Sequence, residues 1–335
     1  MAERQVAVGC YTPESGGSGS GITLYSWDDR SGELTIRDSA AMVSPSWLQW
    51  HPRLPVLYAA NEIEAGTVSV LSVGAGLKVE ATVGIGGSLP CHLAVAEDGS
   101  RLFAANYGSG SLSMFDLDPT GAIRGLAGLV SHAGSGPDPD RQEAPHVHMI
   151  ALAGGLISAV DLGTDEIRSY RVTDTGLAAA RVSTLPPGTG PRQLVRNPHT
   201  GRSYLVAELA GALLTVVEPA PGSFEVIDSV AGSEQPIRNL PAQFSLSADG
   251  RFGYLSNRYP NSLTVFSLAQ PRPVRVAEFA AGDGWPRHFA IAGDWLLAAN
   301  QHSNELLVFA IEDGGARLRE VRRYPVASPT CVAIR

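Results

Sequence analysis

The sequence predicts an all-β protein, a seven-bladed β-propeller of four-stranded blades. Three observations carry this: one apolar strand is written seven times, a proline-led strand precedes most copies, and the two chain ends complete each other. The repeated strand ends at Tyr25, Leu71, Phe115, Tyr170, Val217, Phe266 and Phe309. The intervals are roughly 43 to 55 residues, which is the length of one propeller blade.

Each unit reads as four strands. The first starts at a proline, in Pro45-Ser46-Trp47, Pro90-Cys91-His92, Pro145-His146-Val147-His148, Pro191-Arg192-Gln193, Pro241-Ala242-Gln243 and Pro286-Arg287-His288. Turns such as Asp98-Gly99 and Asp249-Gly250 suit the hairpin that follows, because glycine adopts the left-handed backbone a tight turn needs. The second strand is short and apolar, as in Leu57-Tyr58-Ala59-Ala60-Asn61, and the repeated strand comes third. A turn such as Asp174-Thr175-Gly176 leads to the fourth. Residues 5–10 resemble a second strand without its first, and residues 329–334 a first strand without its second. Pairing them closes the ring and removes two exposed edges. The expected organisation is one domain over residues 1–335, with the irregular insert 131–140 as a lip over one face.

A net charge of -8 and no run of Lys or Arg argue against nucleic acid or an anionic membrane as partner. Any anion bound must meet a locally basic site. No window reaches the roughly 18 apolar residues of a membrane span, and Met1-Ala2-Glu3-Arg4-Gln5 does not open a leader peptide. The expected location is the cytoplasm. Cys10, Cys91 and Cys331 are too few and scattered for a disulfide framework or a metal knuckle, and read as small buried residues.

In a four-stranded meander, the start of strand one and the end of strand two share a face. For the inner strand, that face is the mouth of the central channel. Counting from the repeated proline gives a first ring of Trp47, His92, His148, Gln193, Gln243, His288 and Cys331. The exit of the second strand gives another: Cys10, Glu62, Tyr107, Leu162, Glu208, Arg258 and Gln301. Packing needs none of these charges. Three imidazoles, two carboxylates and a guanidinium converging on a concavity, with Arg192 and Arg287 beside them, mark a site. Glu62, His92, Tyr107, Gln193, Gln243, His288 and Gln301 are read as substrate contacts. Arg141 on the lip and Arg287 join them, and Arg141 and Arg287 with His288 are the candidates for a phosphate. Asn61, Asn106, Asn257 and Asn300 are read as satisfying turn backbone.

Arg192 and Arg258 offer planar, permanently charged forks to a carboxylate, phosphate or developing oxyanion. Glu208 stays ionised if paired and acts as a base if desolvated. His148 can move a proton near neutral pH. There is no nucleophile elbow with an ordered triad and no His-Glu-x-x-His. His146-x-His148 is a weak metal signal, because alternate residues share a face only on an extended strand. No metal and no cofactor are expected.

These residues resemble the seven-bladed propeller lactonases typified by bacterial 6-phosphogluconolactonase, with a fungal muconate lactonising enzyme as a relative. The likeness runs from Val8 to Ile334. Its carriers are 57–62, 104–111, Arg141-Gln142 before Pro145-His146-Val147-His148, 161–165, Gly190-Pro191-Arg192, Ser256-Asn257-Arg258 and Ala299-Asn300-Gln301. The resemblance implies catalytic roles for His148, Arg192, Glu208 and Arg258. Where the family has His after Gly-Pro-Arg, this chain has Gln193, which can bond a substrate but cannot carry a proton. The implied activity is metal-independent hydrolysis of a sugar-acid lactone such as 6-phosphoglucono-1,5-lactone, with Glu208 as base and His148 assisting the leaving alkoxide. Two readings stand beside it: a cycloisomerase using the same pocket, and a propeller that binds proteins without turnover. Against the latter, the blades lack the Gly-His and Trp-Asp signatures of that repeat class.

Overall fold

The computed structural model describes residues 4–335. Met1, Ala2 and Glu3, and the part of the leader and domain readings that falls on them, lie outside the described residues. Among the described residues the chain forms seven four-stranded antiparallel sheets. Helix among the described residues is limited to two three-residue turns, Pro13–Ser15 and Asp313–Gly315.

Blade 1 joins both chain ends: Pro329–Ile334, Arg4–Cys10, Gly21–Asp28 and Glu33–Ala41, from the axis outward. Val6 pairs with Ile334 and Val8 with Val332, as the complementary ends require. Blades 2 to 7 begin on the axis with Pro45–Trp50, Pro90–Val95, Val147–Ala153, Pro191–Arg196, Pro241–Leu246 and Pro286–Ala292.

The second strands show why the sequence closes into a ring. In blade 5, Ser203–Ala207 is buried throughout, and its side chains alternate between faces. Tyr204 and Val206 pack on Phe244 and Leu255 of blade 6, while Leu205 and Ala207 pack on Val160 and Ile167 of blade 4. Both faces are core, so the strand reads as a continuous apolar run. The same arrangement gives seven apolar clusters, one at each junction between neighbouring blades, including Val6 and Val8 of blade 1 against Leu297 and Val308 of blade 7. Truncating a leucine such as Leu205 to Ala removes about 2–5 kcal/mol of this packing.

Two sets of bulges recur. One lies between the third and fourth strands, at Tyr25, Leu71, Phe115, Tyr170, Val216, Phe266 and Phe309. The residue in blade 5 is thus Val216, one before the Val217 expected from the sequence. The other set lies in the inner strands, between Pro45 and Trp47, Pro90 and His92, Val147 and Met149, Pro191 and Gln193, and Pro286 and His288. A bulge places two residues opposite one, so each inner strand can turn two successive side chains toward the channel.

Candidate active site

The rim of the channel is pinned by one backbone hydrogen bond repeated in every blade. The amides of Tyr11, Glu62, Tyr107, Leu162, Glu208, Arg258 and Gln301 donate to the carbonyls of Ser328, Ser44, Leu89, His146, Gly190, Leu240 and Trp285. This corrects the second ring: blade 1 contributes Tyr11, not Cys10, because Cys10 pairs with Pro329 as Asn61 pairs with Pro45. The Cys10 thiol instead donates to the carbonyl of Gly21.

The pairing of the inner strands also corrects the first ring, because Val147 and not Pro145 holds the position of the other blades' proline. Val147 pairs with Asp161 as Pro191 pairs with Ala207, so His148 is the counterpart of Arg192, Cys91 and Arg287. Met149 takes the place assigned to His148. Two tiers result: Ser46, Cys91, His148, Arg192, Ala242, Arg287 and Thr330, followed one residue later by Trp47, His92, Met149, Gln193, Gln243, His288 and Cys331. All but Cys331 line one cavity at the axis.

Glu208 is the centre of the upper layer. It is fully buried, and three arginines from three directions hold it. Arg192 Nη1 lies 2.9 Å and Arg258 Nη2 2.6 Å from Oε2, and Arg141 Nη2 reaches down from the lip to Oε1 at 2.7 Å. Burial opposes its charge, but Arg258, Arg192 and Arg141 outweigh it and hold the carboxyl well below the usual range. The arginines are themselves anchored. Arg192 Nε donates to the carbonyl of Ala242 and Arg258 Nε to that of Leu240, each at 2.8 Å, and Arg258 lies over the ring of Trp285. Burial pulls Arg258 down to about 9, which leaves it charged at neutral pH.

His148 completes this group, with Nε2 against Arg192 Nη1. Burial, reinforced by Arg192, keeps its imidazole neutral far below the ordinary histidine value. Tyr107 meets His148 edge-on and stacks on His146 at 4.3 Å, and its hydroxyl accepts from Arg141 at 3.3 Å.

A second group faces the channel from blades 7, 1 and 2. Arg287 Nη2 donates to the hydroxyl of Tyr11 at 2.6 Å, Tyr11 donates to Glu62 Oε1 at 2.7 Å, and Glu62 Oε2 stands 3.6 Å from Arg287. Arg287 Nη1 also reaches Gln301 at 3.5 Å. Tyr11 escaped the sequence count because its blade is split between the chain ends; aligning Cys10 with Pro329 would have found it.

The lower tier serves mainly as a belt. His92, Met149, Gln193, His288 and Cys331 each accept the backbone amide of the next blade's inner strand, from Ile150, Leu194, Phe244, Val332 and Leu48. Burial drives both His92 and His288 down to about 3, so both are neutral. Both pack on Trp47, with ring centroids 4.3 and 5.0 Å apart. Gln193 therefore uses its carbonyl as a tie between blades, which leaves its amide nitrogen for the cavity it lines. Ser46 and Thr330, absent from the predicted set, present buried hydroxyls without a protein partner to the same cavity. The strand-exit asparagines hold the third strands and nearby carbonyls: Asn106 bonds Ser111 and Ser113, Asn257 bonds Ser262 and Thr264, and Asn61 bonds Val43.

A family model for the seven-bladed β-propeller lactonases matches residues 5–334. The chain belongs to that family. As a member it is a hydrolase of cyclic esters. Among curated proteins it is similar to the 6-phosphogluconolactonase of Bacillus subtilis, with 27% identity over 97% of this chain and 96% of that one. A second, from Formosa agariphila, is 28% identical over 90% and 91%. Among solved structures, the periplasmic gluconolactonase of Pseudomonas aeruginosa superposes with a TM-score of 0.92 at 27% identity, covering 99% of each chain.

The lactonase thus concentrates positive charge where the whole chain carries a net -8. Four guanidinium groups, from Arg141, Arg192, Arg258 and Arg287, meet two carboxylates, Glu208 and Glu62, leaving two positive charges uncompensated. His146 and His148 do not converge. The ring nitrogens of His146 face the Tyr107 carbonyl and Glu143, while His148 faces Arg192. Among the described residues no three His, Cys, Asp or Glu side chains gather as metal ligands. Among the described residues no helix is long and apolar enough to cross a membrane.

Proposed function

We propose that this lactonase hydrolyses the ring ester of a polyhydroxylated acid lactone, with 6-phosphoglucono-1,5-lactone as the first candidate and its unphosphorylated analogue as the second. The observation that carries the reading is the arginine cluster on Glu208: three guanidinium groups held in place around one buried carboxylate, with charge to spare. Such donors stabilise a developing oxyanion because they need no reorganisation when charge appears. They also draw a negatively charged ligand into the mouth of an acidic protein.

In this reading Arg192 and Arg258 bind the carbonyl oxygen as it becomes the tetrahedral oxyanion, and Arg141 closes the lip behind the substrate. The arginines supply the polarisation a metal ion would otherwise provide, which is our ground for metal independence. Glu208, ionised and enclosed by its partners, acts as the fixed counter-charge that aligns them; a carboxylate so strongly held is a weak proton acceptor. His148, neutral and accepting from Arg192 through Nε2, keeps the hydrogen on Nδ1 as a donor to the leaving ring oxygen. The names of the relatives support sugar-acid lactones as substrates. We place the protein in the cytoplasm, where its three free, buried cysteines stay reduced; the Pseudomonas relative is periplasmic, so cell fractionation decides.

The test is stopped-flow opening of freshly made 6-phosphoglucono-1,5-lactone and glucono-1,5-lactone, corrected for spontaneous hydrolysis, with the product identified by NMR. A rate well above background on either supports the proposal. Background rates on both discard this substrate class.

A further inference from the structure

The two carboxylates at the channel mouth are not equivalent. Both oxygens of Glu208 are occupied by arginine. Glu62 is held on one oxygen only: Tyr11 donates to Oε1, while Oε2 is shielded from solvent and has no hydrogen-bond donor, its nearest cation being Arg287 at 3.6 Å. A buried carboxylate oxygen left without a donor is costly and calls for an explanation, and a catalytic role is a common one.

The surroundings fit that role. Tyr11 is itself fixed by Arg287, so Glu62 is oriented through Oε1 with Oε2 left free. The side chain keeps 15% of its surface exposed, and its terminal torsion is soft, so a small rotation brings Oε2 to the opening. The ionisable groups facing it are Tyr11, Arg287 and the Cys91 thiol. Burial drives the thiol far above its ordinary range and the phenol well above its own, so both stay protonated.

We infer that Glu62, not Glu208, is the proton acceptor of the hydrolytic step, a reading that rests on the lactonase function proposed above. Water attacks the lactone carbonyl carbon and gives a proton to Glu62 Oε2; the new C–O bond forms and the carbonyl electron pair moves to the oxygen bound by Arg192 and Arg258. Collapse of this oxyanion breaks the ring C–O bond. The departing oxygen takes the proton back from Glu62, so one water is added and the enzyme is unchanged. Glu208 holds charge in place, and Glu62 moves the proton.

The experiment compares wild type with Glu62→Gln, Glu62→Asp and Glu208→Gln on the better of the two lactones. Glu62→Gln is expected to lose about 100-fold or more in kcat with little change in KM, as removal of a general base does. Glu62→Asp should recover part of that kcat because it restores a carboxylate, which excludes a merely structural loss. Glu208→Gln should raise KM with a smaller loss in kcat. Full kcat in Glu62→Gln, or a kcat in Glu62→Asp no better than in Glu62→Gln, overturns the inference while leaving the lactonase function standing. No lactone opening by wild type overturns both.

Discussion

The guanidinium of Arg192 donates to Nε2 of His148. Arginine has no acceptor, so that nitrogen carries no proton and the neutral ring must hold its hydrogen on Nδ1. His92 and His288 are likewise fixed as acceptors, through Nδ1, by the backbone amides of Ile150 and Val332. Three imidazoles on one channel are thus built into the fold in the uncharged form.

This makes the protein acid-sensitive. The unfolded chain protonates these histidines below about pH 6.5, while the native protein resists. Their depressed values mean that the stabilisation is complete above that pH and is lost as pH falls, until His92 and His288 charge in the native state at about 3. Each contributes at most about 1.4 kcal/mol per pH unit. The melting temperature is expected to drop between pH 7.5 and 5, with proton uptake on unfolding measurable by calorimetry in buffers of different ionisation enthalpy. A flat profile would show that the three rings are charged or solvated.

On the oxyanion role proposed above, Arg258→Ala should reduce kcat by about 100-fold to 1,000-fold, the usual effect of deleting one such donor. Arg258→Lys should recover only part, since an ammonium does not reproduce the flat fork that lies over Trp285 and meets Glu208. Steady-state kinetics on the three proteins tests this. Equal activity would remove Arg258 from the reaction.

Glu208→Gln leaves three arginines around a neutral amide. Breaking buried ion pairs from one side typically costs about 3–5 kcal/mol, so the melting temperature should fall by several degrees. An anion that fills the cluster should restore part of the loss, because a ligand bound only by the native state stabilises it. Thermal melts with and without inorganic phosphate or gluconate read both effects. A variant as stable as wild type would mean that the arginines are compensated elsewhere.

Much of the fold was legible because second strands such as 203–207 are buried on both faces and therefore apolar throughout, and because the prolines that open six inner strands repeat in register. Glu208, Arg192 and Arg258 were legible as a set for the same reason. What escaped was decided by single-residue slips. Val147, not Pro145, stands where the other blades have their proline, so His148 falls on the tier of Arg192 and not with His92 and Gln193. Tyr11 escaped because Cys10 stands where most other blades have Asn. The grip of Arg141 on Glu208, across 67 residues, depends on how the lip folds back, which no local pattern encodes.

Removal of residues 329–335 tests the closure itself. Arg4–Cys10 would keep its pairing with Gly21–Asp28 but lose its inner partner, exposing a row of backbone donors and acceptors at the axis. The tie from Leu48 to Cys331 and the packing of Val332 on blade 7 would vanish as well. The truncated chain is expected to melt without cooperativity and to aggregate, as followed by circular dichroism and light scattering. A monomer with a sharp transition would instead show that three strands suffice for blade 1 and that the chain-end pairing serves the channel mouth more than the fold.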